Sequence, residues 1–490
     1  MLLNALRSCS ARCQATSRTA LVQITSRTFS SSLSRSFPQI DSLRIAGVLG
    51  NTQPTTLSTS RILPYLNHAR LHSSSKKSEQ VGAASPDAPS SEPLPILPRP
   101  SVGGWLLFSS TLVFAVIVVG GVTRLTESGL SITEWRPITG ILPPLNHDEW
   151  MTEFNKYKAT PEFKLMNSAI TLEDFKFIFF MEWGHRVLGR LIGLAFVGPL
   201  AYLALRKKIS RSMTTRMTGL ALLIGAQGAM GWYMVKSGLE DSFLETPGAV
   251  PRVSQYRLAS HLGLAFLLYL GMFGSGMAII KDWKYANGAA WSGVTGQKIS
   301  AILQNPVVRR IKIFSWGLAG LVLLTALSGA FVAGLDAGLL YNEFPLMGGR
   351  LAPPTAELFD PAYAKSADKS DLWWRNIFEN PTTVQFDHRV LATTTYIAAA
   401  ALYAQTFKPA VRAALPPLTR TAITAAFAMA NVQVLLGITT LLYLVPVPLA
   451  ALHQAGSVML LSAMVHVLIT LRRPGAAARL WRASKAAQKK

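Results

Sequence analysis

The chain is short of thiols, of charge and above all of acid. It holds two cysteines in 490 residues, Cys9 and Cys13, both near the N-terminus. A form cut behind them has no thiol, which excludes disulfides and Cys-ligated zinc or iron–sulfur centres. Charged residues make up only 15%, against roughly a quarter in an ordinary soluble domain. Acids are the scarcer sign, 25 against 48 Lys and Arg, for a net charge of +23. No Gly-rich nucleotide fingerprint stands in a strand–turn–helix setting. What is abundant is apolar: half the residues are hydrophobic. A chain so apolar and so basic is neither a soluble enzyme nor a disordered one. Its basic excess belongs either to a nucleic-acid binder or to a multi-span membrane protein with charge sorted to one side.

Position separates the two. Residues 1–75 carry eight Arg, no Lys and one acid, Asp41, among many Ser and Thr. That is the composition of a mitochondrial targeting segment, with a disordered basic arm as the alternative. Residues 76–102 follow as a Pro-rich disordered linker. Eight apolar segments then qualify as spans: 103–122, 176–204, 214–236, 257–280, 311–334, 384–407, 419–443 and 449–471. The second and sixth open on polar residues and are the least clean. The connections on the N-terminal side, 206–216, 281–312, 408–420 and 472–490, hold 21 basic residues and one acid, Asp282. Those on the other side, 123–175, 236–256 and 335–383, hold 11 basic and 18 acidic. The positive-inside rule puts both termini in the matrix of a mitochondrial inner-membrane protein. Lys and Arg dispersed over membrane-flanking loops make no nucleic-acid surface.

The chain also repeats. Ser128-Gly129-Leu130 matches Ala337-Gly338-Leu339, and Pro143-Pro144 matches Pro353-Pro354. Gly184-His185-Arg186-Val187-Leu188 matches Asp387-His388-Arg389-Val390-Leu391. The expected fold is an all-α membrane protein of eight transmembrane helices, arranged as two four-helix bundles related by a pseudo-twofold. The bundles cover 103–281 and 311–472, with a matrix linker at 282–310 and a basic matrix tail at 473–490.

Four histidines, His185, His261, His388 and His453, fall in even-numbered spans near their intermembrane-space ends. His147 reads as solvated and His466 as facing away. Two imidazoles from facing helices are what a six-coordinate haem iron requires, whereas a lone membrane His is more often a structural hydrogen-bonder. Glu182 precedes His185 by three residues, so both share a helix face. Arg186, four residues on, pairs with Glu182 or with a haem propionate. The second half has Gln385 at the Glu position, which can neither bear charge nor take a proton. The first site therefore does chemistry and the second holds a fixed cofactor, unless Glu182 only neutralises Arg186.

Four longer motifs, GGVTRLTESGLSITEWRPITGILPP (120–144), EWGHR (182–186), VAGLDAGLLYNEFPLM (332–347) and DHRVLA (387–392), make the chain resemble haem A synthase of the mitochondrial and alphaproteobacterial type. The resemblance covers residues 100–472. It implies oxidation of the C8 methyl of haem O to the formyl of haem A, for cytochrome c oxidase. Haem O would be the substrate at His185 and His261, with Glu182 as the catalytic residue. Haem b would be the resident cofactor at His388 and His453, with Arg186 and Arg389 positioning propionates. The implied partners are haem O synthase and a matrix ferredoxin system as external electron donor, with a homo-oligomer left open. The first external loop has no cysteine pair, unlike some bacterial members, which rules out a thiol-based step. The competing readings are a bis-His b-type cytochrome that only transfers electrons, and a transporter, against which the clustering of polar groups at one face argues.

Overall fold

The computed structural model describes residues 93–488, apart from 138, 246–249 and 296–297. The targeting segment and most of the linker lie outside the described residues. Among those described, regular structure is helical, and strand pairing is limited to two isolated bridges closing turns, Trp291 with Val294 and Met347 with Arg350. Eight helices have 24 residues or more: α1 Pro100–Leu125, α2 Leu172–Leu205, α3 Arg211–Gly238, α4 Gln255–Ala286, α5 Pro306–Gly334, α6 Pro381–Gln405, α7 Pro417–Leu442 and α8 Val447–Thr470. Their starts follow local chemistry. Proline opens α1, α5, α6, α7 and α8, where its missing N–H costs nothing. Thr171 and Asp174 close a capping box on α2, and Ser210 caps α3.

Six of the eight, α1, α2, α4, α5, α7 and α8, are long and apolar enough to cross a membrane. The sequence marked the second and sixth segments as doubtful. The structure moves the first doubt to the third. The polar opening of α2 precedes a long apolar run and leaves it intact. Helix α3 is diluted by Gly219, Gly225, Gln227, Gly228 and Gly231, and α6 by Gln385, Asp387, His388, Arg389 and a run of threonines. Large apolar side chains such as Leu194, Leu222, Ile397 and Leu435 lie exposed on the helices, as lipid-facing residues do.

In the first half, α2 and α4 each pack on both α1 and α3; in the second, α6 and α8 each pack on both α5 and α7. Helices α1, α4, α5 and α8 meet across the seam between halves. One hydrophobic cluster runs through both, with Leu106, Phe266, Met272, Leu402, Ile423 and Val458 almost fully buried. Helices α1 and α4 approach so closely that a Cβ at Gly103 would lie 2.9 Å from the carbonyl of Gly276, and the converse also holds. Small residues at a crossing permit such contact.

The connecting segments are more ordered than their composition implies. The first loop holds a helix, His147–Lys158, whose Trp150, Phe154 and Tyr157 recur at helical spacing and bury against Phe175, Ile178 and Phe179 of α2. The helices reach into the linker expected at 282–310, since α4 runs on to Ala286 and α5 begins at Pro306. The linker also buries Trp291 completely. The basic tail forms a helix, Ala476–Ala487, packed on α4. Its Trp481 donates to the carbonyl of Pro95, so the end of the Pro-rich linker is held in place.

Candidate functional site

The four histidines come together in two pairs. His185 on α2 faces His261 on α4, with ring centroids 6.4 Å apart. Two iron–nitrogen bonds of about 2 Å, with each ring centre about 1 Å beyond its nitrogen, place bis-ligating imidazoles about 6 Å apart. His388 on α6 and His453 on α8 stand in the corresponding places of the second half, against Gly329 and Gly437. His147 is exposed at the start of its short helix, and His466 lies beside Lys281 near the far end of α8, away from both pairs.

Each imidazole faces a glycine on the neighbouring odd-numbered helix. A Cβ at Gly120 would lie 3.0 Å from Nε2 of His185, and one at Gly231 3.7 Å from Cε1 of His261. At Gly329 it would lie 3.3 Å from Cε1 of His388, and at Gly437 2.9 Å from Cε1 of His453. The odd helices therefore give space to the rings. Side chains hold them from behind. Ser328 shares a 2.7 Å hydrogen bond with Nδ1 of His388, which leaves Nε2 as the free ligand atom. Gln227 and Gln433 donate to the backbone carbonyls of His261 and His453 at 3.1 and 2.8 Å. Nδ1 of His261 and of His453 is buried without a partner. Paired imidazoles with space beside them and orphaned ring nitrogens fit haem ligation. Among the described residues, no group of three or more His, Cys, Asp or Glu stands ready for another metal.

The acid of the first half is buried and fully engaged. Glu182 is 3% exposed. Its Oε1 accepts from Arg186 at 2.6 Å, and its Oε2 from the Ser131 hydroxyl and the Ile132 amide, both at 2.8 Å. Arg186 also donates to the carbonyls of Ile132 and Glu134. Glu182 thus does pair with Arg186, but it anchors the 131–134 loop as well. Gln385, equally buried, donates to the Tyr341 carbonyl and keeps Oε1 unpartnered. Arg389 donates to the carbonyls of Tyr341 and Leu346. Both arginines expected at propionates are spent largely on holding loops over the sites.

Several contributors escaped the sequence reading. Gln227 and Gly231 recur as Gln433 and Gly437, a Gln-x-x-x-Gly spacing visible once the halves are aligned on it. Glu162, counted only as a loop charge, is buried at 5% exposure with Oε2 unpartnered. No local pattern marks it, because a five-residue helix has no periodicity to read.

A membrane-helical chain with two imidazole pairs, one beside a buried carboxylate, is the class that fold and site define. The family of COX15-CtaA, cytochrome oxidase assembly protein, matches residues 103–465. The Saccharomyces cerevisiae protein Heme A synthase COX15 is 47% identical over 378 residues, 77% of this chain and 76% of its own. Heme A synthase COX15 of Homo sapiens is 45% identical over 372 residues, 76% of this chain and 83% of its own. A Schizosaccharomyces pombe protein named Heme A synthase-mitochondrial ferredoxin fusion protein is 50% identical over 368 residues. This chain spans 59% of that fusion protein's length. The chain belongs to the COX15-CtaA family of cytochrome oxidase assembly proteins.

Proposed function

We propose that the chain is a haem A synthase, converting the C8 methyl of haem O to a formyl group for cytochrome c oxidase. The observation that carries this is the asymmetry of two otherwise equivalent imidazole pairs: a buried carboxylate stands beside one and a carboxamide beside the other. In this reading His185 and His261 hold haem O as substrate, and His388 and His453 hold a resident haem b. Bound haem supplies redox-active iron. The chain supplies the ligands, the exclusion of water and a charged group at the reacting edge. Glu182 stabilises positive charge or takes a proton there, and its hydrogen bonds to Arg186, Ser131 and Ile132 fix its direction. Arg186 and Arg389 keep the covering loops closed. Arg186 is spent on Glu182 and loop carbonyls, while Arg389 keeps a buried Nε without a partner that a propionate could take.

All eight long helices span the inner membrane as two bundles related by a pseudo-twofold, with termini in the matrix and sites toward the intermembrane space. Haem O synthase supplies the substrate. The fused ferredoxin of the S. pombe relative supports a ferredoxin-type electron donor. A cytochrome that merely passed electrons would need Glu182 only as an anchor for Arg186 and the 131–134 loop.

The test is pigment extraction from cells lacking the chain. Accumulated haem O without haem A is expected, and normal haem A refutes the function. Complementation with Glu182→Gln should restore both haems to the purified protein but yield no formyl product. Haem A from that variant removes Glu182 from the chemistry.

A further inference from the structure

We propose that haem enters and leaves the first site sideways from the bilayer, between α2 and α3, and that Tyr396 and Asn431 bar the same route at the second site. The proposal rests on the haem-oxidation reading and deepens it. A substrate site must empty and refill at every turnover, whereas a resident cofactor must stay.

Loops tied down by Arg186 and Arg389 roof both sites, so passage falls to the seams between helices. In the first half, Trp105 bridges α1 to α2, its indole donating to the Ala195 carbonyl at 2.9 Å. Gln227 and Arg257 bridge α3 and α4, donating to the His261 carbonyl and the Ser237 hydroxyl. Helices α1 and α4 meet at Gly103 and Gly276. Among the described residues, no side-chain hydrogen bond, ion pair or ring contact joins α2 to α3.

The second half leaves no such seam along its chain order. Thr325 and Thr395 join α5 to α6 at 2.7 Å, and Gln433 joins α7 to α8 through the His453 carbonyl. Between α6 and α7, the Tyr396 hydroxyl donates to Asn431 Oδ1 at 3.0 Å. Asn431 Nδ2 in turn donates to the Phe427 carbonyl. The Phe427 ring stacks on Tyr403 at 4.7 Å and on Tyr396 at 6.0 Å. A carboxamide and a phenol within a bilayer are costly alone and hold helices together when paired.

Alignment of His185 with His388 and of Gln227 with Gln433 shows what the first half has instead. Gly193 replaces Tyr396, Leu200 replaces Tyr403, Ala221 replaces Phe427 and Gly225 replaces Asn431. A Cβ at Gly225 or Gly228 would meet nothing within 4 Å, and one at Gly193 only Ile224 Cγ2, at 3.9 Å. Ile224, bulkier than its counterpart Ala430, narrows this space without bridging it. Helix α2 also contains Pro199, a residue at which helices bend, where α6 has Leu402.

The latch belongs to the second site's own helices. Tyr396 stands eight residues past His388, about 12 Å along α6. Asn431 stands two residues before Gln433, which holds the His453 backbone. The open positions stand at matching distances from His185 and Gln227.

Full-length protein loaded with haem b at both sites, in lipid nanodiscs, provides the test, with apomyoglobin capturing released haem. A fast phase from the first site and a slow one from the second are expected. Equal release from both sites overturns the proposal. Tyr396→Phe and Asn431→Leu should each speed the slow phase by about 10-fold, the scale of one hydrogen bond between membrane helices, and leave the fast phase alone. A slow phase unchanged in both overturns the latch. Gly193→Cys with Ile224→Cys puts two thiols within disulfide reach across the open seam, in a membrane part that otherwise has no cysteine. Oxidation after loading should arrest the fast phase, and reduction should restore it, which separates a closed route from a misfolded protein. A fast phase that persists in the cross-linked chain overturns the route. Normal haem A in cells lacking the chain overturns the enzymatic reading instead, because release of haem b needs no formyl chemistry.

Discussion

A methyl group added at Gly437 would sit 2.9 Å from His453 Cε1, and the imidazole ring is rigid. Gly437→Ala should therefore displace the ligand and lower second-site haem occupancy, read as a reduced haem-to-protein ratio in the purified chain. Gly189, on α2, has nothing within 4 Å of its would-be Cβ. Gly189→Ala should keep full haem content and gain up to about 1 kcal/mol from helix propensity. Equal haem loss in both variants would mean that the glycines serve the helices and not the rings. Ser328→Ala removes the hydrogen bond that fixes His388, and second-site haem affinity should fall about 10–100-fold. Wild-type affinity would assign Ser328 to helix packing alone. Glu162 has a stability signature as well. Its folded pKa, about 8, is raised above that of an unfolded Glu, so ionisation opposes folding. Its contribution is fully present below the unfolded value and is lost as pH rises through the folded one. The melting advantage of Glu162→Gln over wild type should grow across that window and level off above it. A pH-independent difference would mean that the carboxyl is not buried as described.

At the scale of elements, the first loop shows where sequence patterns were readable and where they failed. Trp150, Phe154 and Tyr157 stand at helical spacing and bury one aromatic face of a helix, in a segment read from the sequence only as a loop. Trp150 stacks edge-on against Phe179 at 5.0 Å, and Tyr157 lies over Phe175 at 5.2 Å. Trp150→Ala should cost about 3–5 kcal/mol locally. It should open the 123–171 segment to limited proteolysis while the membrane helices stay protected. Unchanged cleavage would show that the loop is held from elsewhere. The four paired histidines and Glu182 stood out in the sequence because imidazole and charge inside apolar runs are rare, and the halves repeat the histidines though not the acid. The glycines opposite the rings did not, since a helical glycine in an apolar segment has many uses. Apolarity also misjudged α2, whose polar first turn lies ahead of its membrane-length run, and α3, whose glycines and Gln227 dilute a helix that packs like its neighbours.

For the whole molecule, the seam between halves is tied by polar contacts that no single helix foretells. Arg124 and Arg252 both bind Asp336, and Gln454, next to His453, reaches α1 and donates to Ile117 at 3.1 Å. The Gln454 side chain occupies the space a Cβ at Gly121 would need. A flexible glutamine can yield to alanine but not to a branched side chain. Gly121→Leu should destabilise the solubilised protein by about 1–3 kcal/mol, visible in its thermal midpoint. An unshifted midpoint would mean that the seam is loose there. His261 and His453 each stand six residues into their helices, and the proposed pseudo-twofold runs both repeats the same way through the bilayer. Charge crossing a membrane does work against its potential, about 2.3 kcal/mol per charge per 100 mV. With haem bound at both pairs as proposed, an electron handed from one to the other would travel sideways, at constant depth. The energised state of the membrane would then neither drive that transfer nor resist it.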